Sequence, residues 1–400
     1  VAEQQSPNGR DVVVLSAVRT AIGKYGGGLK DVPPADLAAT LVREAVKRAG
    51  VDPADVGHAV LGNVIHTEGR DMYISRVAAV NGGLPHDTPA MTVNRLCGSG
   101  LQAIVSAAQT IQLGQADIAV AGGAESMSRA QYWMPALRWG QRMGPGGTVD
   151  AMVAALTDPF DTVHMGITAE NIAEKWNISR EDQDALAVKS HQRAAAAAAE
   201  GRFKEQIVPI EIKGRKGSTF IDADEHIRAD VTLDDMAKLR PAFKKDGSVT
   251  AGNASGVNDA AAVLVLAERS AAEAKGLTPI GRLVGYSHVG VDPKYMGIGP
   301  VPAIKKVLET TGLTLDDIDV FEVNEAFAAQ ALAVARDLNL PDEKTNPNGS
   351  GVGLGHPIGA TGAILAVKVL HELARTGGRY GLVTMCIGGG QGIAAVFERV

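Results

Sequence analysis

The sequence predicts an α/β fold built twice over, each half carrying a mainly parallel sheet. In the first 128 residues, apolar runs of strand length alternate with segments of helical spacing, the pattern of strand–helix–strand units. The order then recurs. VREAVKRAGVDPADVGHAVLGNV (42–64) lies over IKKVLETTGLTLDDIDVFEVNEA (304–326) at a constant offset of 262 residues, pairing Gly50 with Gly312, Asp55 with Asp317 and Val56 with Ile318. Between the copies, residues 125–249 match neither and read as an inserted domain. The expected halves are therefore 1–124 with 250–275, and 276–400.

DVVVLSAV (11–18) reads as a buried strand, and LAATLVREAVKRAG (37–50) as a helix closing on glycine. HAVLGNV (58–64) is a second strand, LQAIVSAAQTIQLG (101–114) a helix, and ADIAVAGGAESMS (116–128) a strand running into a loop. The insertion holds a helix at 179–200, whose Ala run has strong helix propensity, and a polar β-like section, IVPIEIKGRKGSTFIDADEHI. In the second copy, DVFEV and GLVTM are strands. CGSGLQAIVSAAQTIQLGQADIAVAGG (97–123) shares its order of loop, helix, glycine, strand and glycine with 356–389. That likeness puts Cys97 and His356 at matching strand-to-helix elbows.

Composition narrows the function. A net charge of −6, few aromatics and no long basic run argue against nucleic acid as the main partner. Two cysteines in 400 residues fit a reducing compartment rather than a disulfide scaffold. VAEQQSPNGR lacks the apolar core of a signal peptide, and no run of about 18 apolar residues offers a membrane span. A cytoplasmic protein with no membrane partner is expected. The nine histidines are scattered and neither cysteine has a close Cys or His neighbour, so no metal site is expected. GSGVGLGHPIG does not spell a dinucleotide fingerprint after a buried strand.

The residues left to carry chemistry stand beside glycines. Cys97 is expected to begin a helix, whose free N–H groups and dipole would bias the thiol toward thiolate; the bland alternative is an inert buried cysteine. His356 lies in GLGHPIGATG with Pro357 suited to a first helical position. It reads as the base for a thiol or as a structural histidine. Cys386 follows a strand and precedes Gly388, where a tight turn could form an anion-binding nest. Asn324 and Glu325 end the strand DVFEV, at the strand end where open α/β sheets build sites. The amide of Asn324 suits an oxyanion or a water, and Glu325 reads equally as a buried structural acid.

NRLCGSGLQAI, HMGITAEN, TAGNASGVNDAAA, NEAFAAQ, GHPIGATGA and CIGGGQGIA occur in the order found in thiolases. From about residue 11 to the C-terminus the chain resembles that family. The resemblance implies duplicated βαβαβαββ halves in a five-layer αβαβα core with an inserted loop domain. GRKG, MGIGPVPA and the ending CIGGGQGIAAVFERV look most like bacterial β-ketothiolases of polyhydroxyalkanoate synthesis, which condense acetyl-CoA with itself or with propionyl-CoA. By that resemblance Cys97 is the acylated nucleophile, His356 activates it, and Cys386 moves the α-proton. Asn324 holds a water for one oxyanion hole, and the N–H groups of Cys97 and Gly388 form the other.

Coenzyme A is then a substrate, with no prosthetic group. His164, Met165, Arg228, Ala242, Phe243, Ala251, Ser255, Ala326 and Phe327 match positions along it. The cluster Lys213, Arg215, Lys216 reads as a site for the CoA 3′-phosphate or as a solvated turn. Two departures stand out: Ser350–Gly351 where many relatives have Gly-Ala, and Asp235 where some have serine near the adenine. Residues 131–149 resemble a tetramerisation loop, so a homotetramer is expected. The rivals are a degradative thiolase for longer chains, a decarboxylating ketosynthase, and an acyl-CoA-binding protein without turnover. Cys386 argues against the ketosynthase, and the presence of Cys97, His356 and Cys386 together against the third.

Overall fold

The computed structural model describes residues 9–215 and 217–400, and Lys216 of the basic cluster lies outside them. Nine strands form the main path of one sheet: β1 (Val12–Arg19), β2 (His58–Gly62), β3 (Ala90–Val93), β4 (Ile118–Ser126), β5 (Asn258–Glu268), β6 (Gly281–Gly290), β7 (Ile318–Val323), β8 (Tyr380–Ile387) and β9 (Gln391–Glu398). Their spatial order is β7-β8-β9-β6-β1-β5-β4-β2-β3, with a two-residue strand, Gly23–Lys24, beside β5.

The duplication is visible in that order. From the middle outward, β1-β5-β4-β2-β3 mirrors β6-β9-β8-β7, and a single bridge from Phe321 to Thr345 stands where β3 does in the first half. The halves meet at β1 and β6, which pair over two positions, Val13 with Arg282 and Val14 with Gly281. The pairings β2–β3, β2–β4 and β7–β8 are parallel, and the remaining strand pairs on the path are antiparallel. The sheet is therefore mixed, and the expectation of a mainly parallel one is corrected. β5 and β9 each return beside their neighbour as an antiparallel strand.

Strands buried on both faces explain the unbroken apolar runs. In β5, Ala260, Ala262, Leu264 and Leu266 face a central core, while Ala261, Val263, Val265 and Ala267 face an outer one. β9 does the same, with Ile393, Ala395 and Phe397 inward and Ala394 and Val396 outward. Helices α1 (Pro34–Ala49) and α2 (Ile74–Asn81) cover the outer face of the first half. α3 (Ser99–Gln112), α6 (Pro300–Thr311), α7 (Ala328–Leu338) and α8 (Thr361–Thr376) complete the layering, and α4 (Met165–Lys175) and α5 (Arg180–Ala199) lie in the insertion. α6 and α7 cover the second half, and α3 and α8 pack together between the halves, which gives the five layers. A Cβ on Gly100 of α3 would lie 2.7 Å from the nitrogen of Ala363, and one on Gly362 of α8 would lie 2.4 Å from that of Leu101. The central helices cross where each has no side chain.

Several sequence boundaries shift. The predicted helix 37–50 starts at Pro34 and stops on Gly50, which adopts φ 67°; its repeat partner Gly312 ends α6 at φ 65°. Strand β4 runs to Ser126, so its last two residues fall inside the expected insertion. The helix expected at 179–200 runs Arg180–Ala199, capped by the Ser179 hydroxyl, and Ala194 and Ala197 of its Ala run are buried in the central core. The polar β-like section is a hairpin, Ile210–Gly214 with Gly217–Ile221. No helix among the described residues is long and apolar enough to cross a membrane.

Candidate active site

A cavity of about 390 Å³ opens where the two halves and residues 127–257 meet. Cys97, His356, Cys386 and Gly388 line it, with His164, Met165, Arg228, Ala242, Phe243, Ala251, Ser255, Ala326 and Phe327. One expected member, Asn324, does not reach the wall. It is fully buried behind His356, its Nδ2 3.3 Å from the imidazole Nε2.

Cys97 does not begin a helix. Gly98 is the N-cap and Ser99 the first residue of α3, while Leu96 just before the thiol adopts φ 43°, a left-handed conformation that is rare for leucine. The Ser99 hydroxyl secures this turn, donating to Leu96 O at 2.6 Å and accepting from Arg95 N. The expected bias toward thiolate is also overturned. Burial among Ile65, Met127 and Ile358 pushes the thiol up to about 11, and the charge of Glu125 adds to that, although the N–H groups of Gly388 and of Cys97 itself pull the other way. Desolvation outweighs the helix end. Those two N–H groups, converging on the sulfur, are the pair expected to serve an oxyanion.

His356 is not at a strand-to-helix elbow. It follows a short helix, Gly351–Leu354, and precedes α8 by five residues, so Pro357 is not a first helical residue. Instead the Pro357 carbonyl accepts the Thr361 hydroxyl at 2.9 Å, and that hydroxyl lies 2.7 Å from His356 Nδ1. A threonine has one hydroxyl proton; with it donated to Pro357, Nδ1 is the N–H partner and Nε2 keeps its lone pair. The Asn324 amide donates to that Nε2. Burial lowers the imidazole to about 4, so it is neutral at rest. Cys386, the penultimate residue of β8, stands in the wall, its thiol pushed up by burial and by neighbouring Cys97. A Cβ on Gly388 would meet Met165 Cε at 2.9 Å, so a side chain there would have to displace the end of that methionine.

Residues 12–270 match the thiolase N-terminal domain and residues 277–399 the thiolase C-terminal domain. The chain belongs to the thiolase family. It is similar to beta-ketothiolase BktB of Cupriavidus necator, 66% identical over 98% of this chain and 100% of that one. It is also similar to the acetyl-CoA acetyltransferase of Chromobacterium violaceum, 50% identical over 97% and 100% of the two chains. Among solved structures, the Bacillus anthracis acetyl-CoA acetyltransferase superposes with TM-score 0.96 at 50% identity, covering 98% of this chain and 99% of that one. Human mitochondrial 3-ketoacyl-CoA thiolase in complex with CoA gives 0.94 at 44% identity, covering 98% of each.

In this thiolase one flank of the cavity is aromatic. The His164 ring stacks on Phe243 at 4.7 Å, and Phe243 meets Phe327 edge-on at 6.1 Å. Gly166 is the residue that admits Phe243, because a Cβ there would lie 2.3 Å from the ring. Ser255 N–H donates to Ala326 O, tying the TAGNAS and NEAF segments together. Arg228 is exposed, and its N–H donates to His191 Nδ1.

Lys213 and Arg215 are exposed near the hairpin turn and do not line the cavity. Glu325 is a buried structural acid, accepting from Ser190, Asn346 and the N–H of Val352. Asp235 caps its own short helix by bonding back to Thr232 and does not line the cavity.

Sequence reasoning missed Leu96, Met127, Met152, Leu156, His226 and Ile358. His226 alone carried a signal, two residues before Arg228; the others are ordinary apolar residues whose place depends on the fold. Among the described residues no cluster of three or more His, Cys, Asp or Glu could hold a metal.

Proposed function

We propose that this thiolase is a β-ketothiolase that reversibly condenses acetyl-CoA with acetyl-CoA or a short acyl-CoA such as propionyl-CoA, through an acyl-thioester on Cys97. The observation that carries this reading is the convergence of two thiols, the neutral imidazole of His356 and two backbone N–H groups on a single largely apolar cavity. Cys97 attacks the thioester carbonyl as His356 Nε2 takes its proton. The oxyanion is met by the N–H groups of Cys97 and Gly388, and CoA leaves carrying the proton of Cys386 while His356 keeps that of Cys97 until Cys97 is released. The Cys386 thiolate so formed removes the α-proton of a second acetyl-CoA. The enolate oxygen is held by His356 and a water on Asn324, whose buried Oδ1 has no partner of its own. The enolate carbon then attacks the acyl-thioester and releases Cys97.

His164, Met165, Arg228, Ala242, Phe243, Ala251, Ser255, Ala326 and Phe327 hold the CoA arm in this reading, and no prosthetic group is required. Residues 131–149, with Trp139 at 85% and Met143 at 89% exposure, support assembly of a tetramer through this loop.

The deciding experiment is intact-protein mass spectrometry after mixing with acetoacetyl-CoA without free CoA, followed by peptide mapping. An acetyl group on Cys97 with acetyl-CoA released is expected. A folded, ligand-bound and unmodified protein would make this an acyl-CoA-binding protein without turnover. A series of 3-ketoacyl-CoAs of rising length separates the short-chain reading from the degradative one.

A further inference from the structure

The loop carrying His356 belongs to the second half, yet side chains of the first half hold it at both ends. At one end the His356 N–H donates to Asn258 Oδ1 at 2.9 Å, and Asn258 Nδ2 donates to Gly23 O. At the other end the Gly359 N–H donates to Glu125 Oε2 at 2.8 Å. Asn258 opens β5 and Glu125 lies near the end of β4, and these are neighbouring strands.

Glu125 is fully buried and receives four N–H groups. Oε1 accepts from Asn63 Nδ2 and Ile65 N, while Oε2 accepts from Val64 N and Gly359 N. Both oxygens accept twice and neither has an acceptor to donate to, so the pocket is built for a carboxylate. Burial pushes this acid upward, and the backbone N–H groups of Ile65, Gly359 and Val64 oppose that by favouring the carboxylate.

The glycines of GHPIG follow from this contact. A Cβ on Gly359 would lie 2.5 Å from Glu125 Oε2, and one on Gly355 would lie 2.5 Å from Asn258 Cγ. Gly123, two residues before Glu125, is equally constrained, its Cβ falling 2.2 Å from Gly359 O.

We propose that Glu125 and Asn258 are positioning residues for acyl transfer, a two-point clamp by which the first half sets where the imidazole of His356 stands relative to Cys97. This rests on the roles given above to Cys97 and His356. Neither clamp residue lines the cavity, so neither touches substrate.

The test is the single-turnover rate of Cys97 acetylation by acetoacetyl-CoA, followed by quenched-flow mass spectrometry, beside the affinity for CoA measured by calorimetry. Glu125→Gln and Asn258→Ala are each expected to slow acetylation about tenfold or more, since a misplacement of about 1 Å costs up to on the order of a hundredfold. CoA affinity should stay within about twofold of the unmodified enzyme. Asn258→Asp, which keeps an oxygen for the His356 N–H, should recover most of the rate. Folding is checked by circular dichroism and melting, and the Asn258 pair decides the matter if Glu125→Gln does not fold. Folded variants that acetylate at the unmodified rate, or that lose CoA binding in step with acetylation, overturn the clamp. An unmodified enzyme that never forms the Cys97 adduct overturns the thiolase reading instead, before any variant is compared.

Discussion

At Cys97 and His356 burial leaves a protonated thiol beside a neutral imidazole, so the reactive ion pair is made during attack rather than stored. Alkylation of Cys97 in the ligand-free enzyme should therefore keep rising between pH 8 and 10, because the thiolate fraction grows until pH passes about 11. A plateau below pH 9 in an iodoacetamide rate profile would contradict this. Cys97→Ala should abolish the acyl-enzyme, whereas Cys386→Ala should still acylate Cys97 yet fail to exchange the α-protons of acetyl-CoA into deuterated water. Equal loss of acylation in both would dissolve the division of labour. Thr361→Val removes the acceptor that fixes the Nδ1–H tautomer of His356. Since positioned acid–base groups contribute on the order of 10²-fold or more, acylation should slow at least about tenfold, read from the same adduct assay. The motifs named these side chains, but not their protonation. A helix end two residues away was legible in the sequence, and the closed apolar wall that overrides it was not.

Among the elements, α3 and α8 cross with backbone against backbone. Gly100→Ala would press a methyl against Ala363 N, and overpacking of this kind costs about 1–3 kcal/mol, measurable in a denaturant melt. The helix Arg180–Ala199 brings a different dependence. Its His191 stacks on His226 at 5.9 Å, and burial lowers both to about 4. The unfolded chain binds these protons near the ordinary 6.5, so their contribution is intact above that pH and is lost as pH falls toward 4. Replacing both with glutamine should flatten the fall in melting temperature between pH 6.5 and 4; an unchanged slope would assign it to other groups. The strands β1, β2, β4, β7 and β8 were readable because apolar runs and glycine stops are local. The five-residue step from His356 to α8 was not, since a proline after histidine reads as a helix start until Thr361 is seen bonding back to it.

For the molecule as a whole, the duplication could be read from the repeat at 262 residues, and the structure shows why so few identities survive. What repeats is the strand order and the capping glycines, while each half packs its own outer helices. The exposed apolar stretch at 131–149 belongs to the same scale. Trp133→Glu with Trp139→Glu should reduce the mass seen by light scattering if this face joins subunits, and leave it unchanged if it does not.

The two halves share the central core around α3 and α8, and they also join through a two-position strand pairing, a glycine crossing and the bonds that reach across to the His356 loop. Cys97, the proposed nucleophile, stands on one side of that junction, and His356 and Cys386 on the other. Turnover is thus a gauge of alignment. If the clamp acts as proposed, a substitution that shifts the halves by about 1 Å slows acylation by up to about a hundredfold while the melting curve still looks healthy, and a chain severed between them must first reassemble before it can register any activity at all.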